Sequence, residues 1–363
     1  MDINIKETLR ELRRKKNITQ EALANHLGIT PQSVGKWERG EGFPDITLLP
    51  AIALYFGISV DELLGVEKAR IEDKIAKYEN QAHALKHVGK VEEAAKILEQ
   101  AYAEFPNDCG VMESFMSTLY FIQRTPIEDE RAALIEELGE RILEESKVTS
   151  QRESAIQILT YLYNENGDKE TALKYADMGG SLFTTMYDLR SSVLDGDEGV
   201  GCTQSYIQDL LLLVSLAAVS ITRKVEMTPE ERIRVYDFSV KARLLPFDKD
   251  ENIGYCGFGV SDDLMQIAYA YAELGKYDDA YDALERSVRY AVMTTQRQKK
   301  KYKSFMVNRL EDDPDSGTKN YEGNACDLRL NAMGHGAFDP IRGDERFLLI
   351  RAELLAHTEL AHD

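Results

Sequence analysis

Apolar residues in the first forty positions recur at helical spacing and are cut into short blocks by turn residues. Ile5, Leu9 and Leu12 share one face of a first helix, which Asn17 closes behind the basic cluster Arg13, Arg14, Lys15 and Lys16. Cations in that last turn suit the helix dipole. Thr19 is placed to cap a second helix, QEALANHL, and Gly28 supplies the positive φ of a sharp reversal. Thr30 caps a third helix, Pro31 takes its first position, where no backbone donor is needed, and Gly40 ends it. Small Ala24 lets the second and third helices approach closely, while Val34 and Trp37 pin one on the other. Gln32, Ser33, Gly35, Lys36 and Arg39 are left facing outward. One helix lying across a backbone while the next enters the major groove is the logic of a helix-turn-helix.

Past Gly65 no stretch alternates as a strand does. VEKARIEDKIAKYENQAHALKHVGKVEEAAKILEQAYAEFPND reads as two helices meeting at Gly89. LMQIAYAYAELGKYDDAYDALERS repeats the pattern around Gly275, and IQILTYLYNENGDKETALKYA gives a looser copy around Gly167. The first gap between these glycines predicts a further helix pair at about 112–124 and 128–146. The second predicts a pair at about 205–224 and 229–244, with long loops on either side. The longest apolar run, 210–221, is too short to span a bilayer and reads as a buried helix.

Composition changes the picture in one respect. The 363 residues suggest two or three domains, and a 43% apolar content suffices for real cores. The formal charge is −19, yet residues 1–66 hold eight Lys/Arg against nine Asp/Glu, a net −1 that leaves −18 for the rest. An acidic body repels phosphate, so contact with nucleic acid falls to the first 66 residues. Cys109, Cys202, Cys256 and Cys326 are scattered without a C-x-x-C pair and read as reduced thiols. Met1 leads straight into an amphipathic helix, so no cleavable segment is expected; the expectation is a soluble cytoplasmic protein.

TQEALANHLGITPQSVGKWERG resembles the phage-repressor, Cro-like (Xre) helix-turn-helix family, with spacing and turn in agreement. FPDITLLPAIALYFGISVDELL resembles that family's closing two helices, in which Leu48, Ile52 and Tyr55 pack and Leu63 and Leu64 seal the bundle. The resemblance covers about 65 residues and implies a five-helix, lambda-repressor-like DNA-binding domain. It places Gln32 and Lys36 at base-reading positions, where Gln suits adenine and Lys a guanine edge. Gln20 and Ser33 fall at phosphate positions, with Arg39 a further phosphate ligand and Arg10 and the Arg13–Lys16 cluster gripping backbone nearby. Two departures stand out: Gly35 lacks the side chain often presented there, and Pro31 has no N–H to donate, so DNA shape carries more of the readout.

The body resembles tetratricopeptide arrays. In the first copy Tyr78, Ala82, Leu85, Ala94, Leu98, Ala101 and Pro106 take template positions, and in the second Leu264, Ile267, Ala268, Tyr271, Ala280 and Leu284. Ile156, Leu159, Tyr163 and Ala172 mark the looser copy, and AFDPIRGDERFLLIRAELL resembles the final segment of such arrays. The fold class expected is therefore all-α: a head over 1–66, a linker or helix start over 67–74, and a helical-repeat solenoid over 75–360. Head and body together resemble peptide-sensing regulators of the RNPP kind. That implies a homodimeric, sequence-specific transcription regulator whose partners are double-stranded DNA and a peptide or protein in the solenoid groove, with no membrane partner. The alternative is a protein-interaction adaptor whose head binds DNA weakly or not at all.

Other constellations carry less. GYCGFGVSDD, 254–263, lacks the G-K-[ST] of a phosphate loop and reads as a loop between helices. LDGDEGVG, 194–201, lacks EF-hand spacing and reads as a hinge or loop. His83 and His87 stand four apart without an evident third ligand. The basic run QRQKKKYKSFMVNR, 296–309, suits DNA, a peptide carboxylate or neighbouring acids, and the following LEDDPDSGTKNYEGN reads as a mobile polar loop. No metal, cofactor or catalytic residue is assigned, and no enzyme activity is expected.

Overall fold

The computed structural model describes residues 5–64, 68–122, 127, 129–182, 185–249 and 252–362. These are mostly helical; β1 (Lys300–Lys301) and β2 (Glu311–Asp312) form a minimal antiparallel pair. The chain is all-α. It divides into two compact units: Met1–Gln81 with Gln100–Pro106, and Ala82–Glu99 with Asn107–Asp363. The border expected at 66–67 lies outside the described residues.

In the first unit, α1 (Ile5–Lys15), α2 (Gln20–Leu27), α3 (Pro31–Arg39), α4 (Leu49–Phe56) and α5 (Val60–Leu63) make a five-helix bundle. Thr19 accepts the Ala22 N–H at 3.0 Å and Thr30 the Ser33 N–H at 3.3 Å, so each helix of the pair starts on a side-chain cap. Gly28 has φ +69° with open space around it, so the turn needs glycine for its backbone and not for room. Ile5, Leu9, Leu23, Ala24, Val34, Trp37, Ile52 and Leu63 are buried together, with Leu48, Tyr55 and Leu64 packed against them. Full burial of such a Leu or Ile contributes about 1.5–3 kcal/mol, so the bundle's stability rests on this cluster.

The helices after the head are α6 (Lys68–His87), α7 (Val91–Glu104), α8 (Cys109–Tyr120), α9 (Asp129–Glu145), α10 (Thr149–Glu165) and α11 (Lys169–Ala176). They continue as α12 (Met186–Val193), α13 (Gly196–Ile221), α14 (Pro229–Leu244), α15 (Cys256–Glu273), α16 (Tyr277–Thr295), α17 (Ala325–Ala332) and α18 (Glu345–Leu355). Helices pack mainly on their neighbours in sequence: α8 on α9, α9 on α10, α10 on α11, and α12 through α16 in turn. That solenoid-like order is what short helical hairpins impose. Ala268 and Ala280 are fully buried beside Leu264 and Leu284, small residues letting α15 and α16 close up.

Several expectations are corrected. The glycine run at 254–263 is mostly α15, not a loop. A Cβ on Gly257 would lie 2.6 Å from Thr294 Oγ1, and one on Gly259 2.6 Å from the Arg243 guanidinium, so these glycines serve close packing. LDGDEGVG is not a hinge either, because α13 begins at Gly196 within it. Neither α12 nor α17 was expected. The α8 helix ends at Tyr120, short of the expected 124, because Phe121 and Ile122 lie in a turn; 123–124 and the expected start at 128 fall outside the described residues.

The basic run and the segment after it are tied down. Arg297 Nε lies 3.0 Å from both oxygens of buried Asp312, Lys299 pairs with Asp313 at 2.8 Å, and Arg309 with Asp197 at 3.0 Å. Balancing acids is thus the role of these three cations. His87 Nδ1 lies 2.8 Å from the Gly317 carbonyl, and the Lys319 N–H donates to the Lys86 carbonyl at 3.0 Å. The polar segment is therefore anchored to the end of α6 and is not a free loop.

The helix expected to be buried, α13, keeps an apolar face in solvent: Leu213, Val214, Leu216 and Ile221 are 43–51% exposed. By length and composition it is sufficient to cross a membrane. Its opposite face, with Gln204, Gln208 and Ser215, is buried within its own unit.

Candidate nucleic-acid interface

The outer face of α3 is set by a buried charge that hydrophobic patterning did not reveal. Glu38, four residues past Val34, points inward and is 8% exposed. Arg13 from α1 donates to it twice, Nε to Oε1 at 2.6 Å and Nη2 to Oε2 at 3.0 Å, and Nη1 donates to the Ile18 carbonyl at 2.7 Å. Gln20, opening α2, donates from Nε2 to Glu38 Oε2 at 2.8 Å. Three helices thus meet on one carboxylate. Burial pushes its pKa up, but the hydrogen bonds from Arg13 and Gln20 and the charges of Arg13 and Arg10 outweigh burial and hold it below the ordinary value. The available signal was a charged residue at a core-facing position, which demands a partner.

With that anchor in place, Gln32 and Lys36 stand one turn apart on the exposed face of α3. Ser33 is half-buried, its hydroxyl 2.9 Å from that of Thr30. Arg39 is exposed and clasps Glu41, Nε to Oε1 at 2.8 Å and Nη2 to Oε2 at 2.7 Å. Arg10, Arg14 and Lys15 are exposed along α1. An open cleft beside them is lined by Arg13, Arg14, Thr19, Gln20 and Pro31, at the start of α2.

Three placements differ from expectation. Gly35 is buried and does not face outward: a Cβ there would lie 3.1 Å from Arg39 Nη1 and 3.4 Å from Gln20 Oε1. Its missing side chain makes room for those two residues, so no reader is absent from this position. Arg13 is held by Glu38, and Lys16 donates to the Tyr55 carbonyl with its ammonium 5.0 Å from the Tyr55 ring centre. Of the basic cluster, Arg14 and Lys15 are the residues left to face solvent without these internal contacts.

The second unit holds a cavity of about 620 Å³ lined by Glu113 and Ser117 of α8, Phe121 just after it, Gln157 and Tyr161 of α10, and Tyr321 of the anchored segment. Phe258 stacks on Tyr321 at 5.7 Å between ring centres, and Ser154 donates to Glu113 at 2.7 Å. The wall depends on Gly89, because at φ +81° a Cβ would fall 1.9 Å from the Tyr321 carbonyl oxygen. Aromatic faces with a few polar groups are the usual lining of a site for a small or extended ligand.

Comparison with known proteins bears mainly on the head. Residues 9–63 match the family model described as Helix-turn-helix. The chain is 31% identical over 123 residues to the HTH-type transcriptional activator BcrR of Enterococcus faecalis, covering 33% of this chain and 59% of that protein. It is 43% identical over 63 residues to the cryptic phage CTXphi transcriptional repressor RstR of Vibrio cholerae, covering 17% of this chain and 56% of that one. The chain therefore spans little more than half the length of these relatives. Among solved structures, Bacillus thuringiensis PlcR in complex with the peptide PapR7 and DNA is similar at 12% identity and a TM-score of 0.34. That similarity covers 79% of this chain and 93% of PlcR.

Proposed function

We propose that the chain is a transcription regulator that binds double-stranded DNA through α3. The observation that carries this is the exposed pair Gln32 and Lys36 on a helix fixed from behind by the Arg13–Glu38–Gln20 cluster. Gln32 reads an adenine edge and Lys36 a guanine edge, while Ser33, Arg39, Arg10 and the N-terminus of α2 at Gln20 position the phosphates. Supporting this reading, the head matches the helix-turn-helix model and the relatives it resembles are a transcriptional activator and a repressor.

The 620 Å³ cavity of the second unit is the seat of a peptide or protein effector, and the protein works in the cytoplasm as a homodimer without enzymatic activity. Two heads one helical turn apart, about 34–36 Å, read two half-sites. Selection of duplexes from a random pool, repeated with Gln32→Ala and Lys36→Ala, tests the DNA reading. Retention of the same preference by both variants overturns it.

The adaptor reading has one observation behind it. Gln20 and Arg39, two of the phosphate candidates, are held by Glu38 and Glu41. Absence of any salt-dependent duplex binding favours that reading over ours.

A further inference from the structure

The polarity of α13 is turned inside out. Gln204 donates to the Phe305 carbonyl at 2.7 Å and accepts from the Arg309 N–H at 2.8 Å, and Ser215 is fully buried with its hydroxyl 2.8 Å from the Leu211 carbonyl. Meanwhile Leu213, Val214, Leu216 and Ile221 face solvent. A surface helix in a lone folded unit has the reverse arrangement. Along that side exposed Leu213 and Ala217 and half-buried Leu210 and Ser220 form the series 210, 213, 217, 220, at intervals of three, four and three residues, the seam spacing of helices that pack side by side.

That seam is self-complementary. We propose that α13 pairs antiparallel with α13 of a second copy about a two-fold axis level with Ser215, setting Leu213 over the partner's Ala217 and Leu210 over the partner's Ser220. Each large side chain then meets a small one. The flanks agree in charge as well as in size. Asp209, Leu216 and Arg223 stand seven apart on one edge, so antiparallel pairing brings Asp209 to the partner's Arg223 and Leu216 to the partner's Leu216. Asp209 is half-buried, its pKa raised by burial, and no cation among the described residues pairs with it. Arg223 is exposed in the hydrogen-bonded turn directly after α13. A two-fold interface requires such reciprocity, residue i meeting j and j meeting i.

A lipid surface accounts for the apolarity but not for the matched sizes or the acid and base at corresponding levels. A chain of net charge −19 is moreover repelled by an anionic bilayer. The pairing supplies the dimer on which the proposed reading of two half-sites rests.

Sedimentation of the full-length protein without DNA tests it. The parent is expected to be a dimer at micromolar concentration, and Leu213→Glu a monomer with unchanged helical circular dichroism, because that side chain is exposed. Asp209→Arg weakens the dimer by about tenfold or more, and adding Arg223→Asp to it restores the charge pair and the dimer. Leu216→Cys gives a disulfide-linked dimer on mild oxidation, which Phe238→Cys, exposed on α14, does not. A monomeric parent, a Leu213→Glu protein with the parent's mass, or a double reversal no tighter than Asp209→Arg alone overturns the pairing. So does a monomeric parent that floats with neutral phosphatidylcholine vesicles and loses flotation on Leu213→Glu. A monomer that still selects its duplex leaves the DNA reading standing, whereas a dimer that selects none overturns only that reading.

Discussion

Arg13 and Glu38 lie twenty-five residues apart in sequence and meet through two parallel hydrogen bonds, 2.6 and 3.0 Å, behind the exposed face of α3 that bears Gln32 and Lys36. The carboxylate is almost wholly buried, and the guanidinium also bridges to the Ile18 carbonyl in the turn before α2. This pair fixes how α3 sits on α1 and α2, and so which side chains α3 presents.

Removing the charge from Glu38 is expected to destabilise the head. Glu38→Gln leaves Arg13 partly buried without its anion, a loss of about 2–3 kcal/mol. Trp37 is the chain's only tryptophan and sits in the head core, so its fluorescence during urea unfolding of the full-length protein isolates this domain. An unchanged midpoint contradicts the assigned role.

The same carboxylate gives a signed pH dependence. Its pKa in the fold is lowered, so its stabilisation is complete above the unfolded value of about 4.3 and is lost as pH falls through the folded value. Trp37-detected stability should therefore drop below about pH 4 more steeply in the parent than in Glu38→Gln. Parallel curves for the two proteins count against it.

Arg39 and Glu41 form an exposed clasp beside the face of α3 that bears Gln32 and Lys36. Glu41→Gln is expected to free the guanidinium for phosphate, tightening duplex binding a few-fold and steepening the dependence of log affinity on log salt by about one. Equal affinity and slope exclude Arg39 as a phosphate ligand.

In the second unit, Gly89→Ala and Gly275→Ala separate two costs. Both glycines have positive φ, +81° and +68°, but only Gly89 has a neighbour, the Tyr321 carbonyl, in the way of a Cβ. Gly275→Ala should cost about 1 kcal/mol for the backbone alone. Gly89→Ala should cost clearly more and loosen the cavity wall, seen as a larger fall in thermal midpoint and faster proteolysis near residue 320.

Much of the head was legible because local chemistry dictates it: Thr19 and Thr30 as caps, Gly28 and Gly40 at positive φ, and Val34 and Trp37 inward. Glu38 escaped a reading that sends apolar residues in and charges out. Gly35 was taken for an outward gap because helical spacing cannot show that Gln20 and Arg39 fold over it. In the body, the helix pairs around Gly89, Gly167 and Gly275 were visible from periodicity. Gly196 and Gly257 were read as loop; close packing against Thr294 keeps Gly257 within α15, whereas Gly196, at φ +63° with open space around it, is the turn residue on which α13 opens. The exposed face of α13 was misjudged for a related reason: an apolar run shows that a helix is apolar, not that its own unit covers every face of it.

The central claim is that α3 reads DNA through Gln32 and Lys36. Selection from a random duplex pool, followed by titration of the chosen sequence against the parent, Gln32→Ala and Lys36→Ala over a salt series, tests it most directly. The account predicts one preferred sequence, a loss of about 1–3 kcal/mol for each variant, and relaxed preference at a different base for each. Arg10→Ala should weaken all duplexes alike. No preferred sequence for the parent, or an identical preference in both α3 variants, would contradict it.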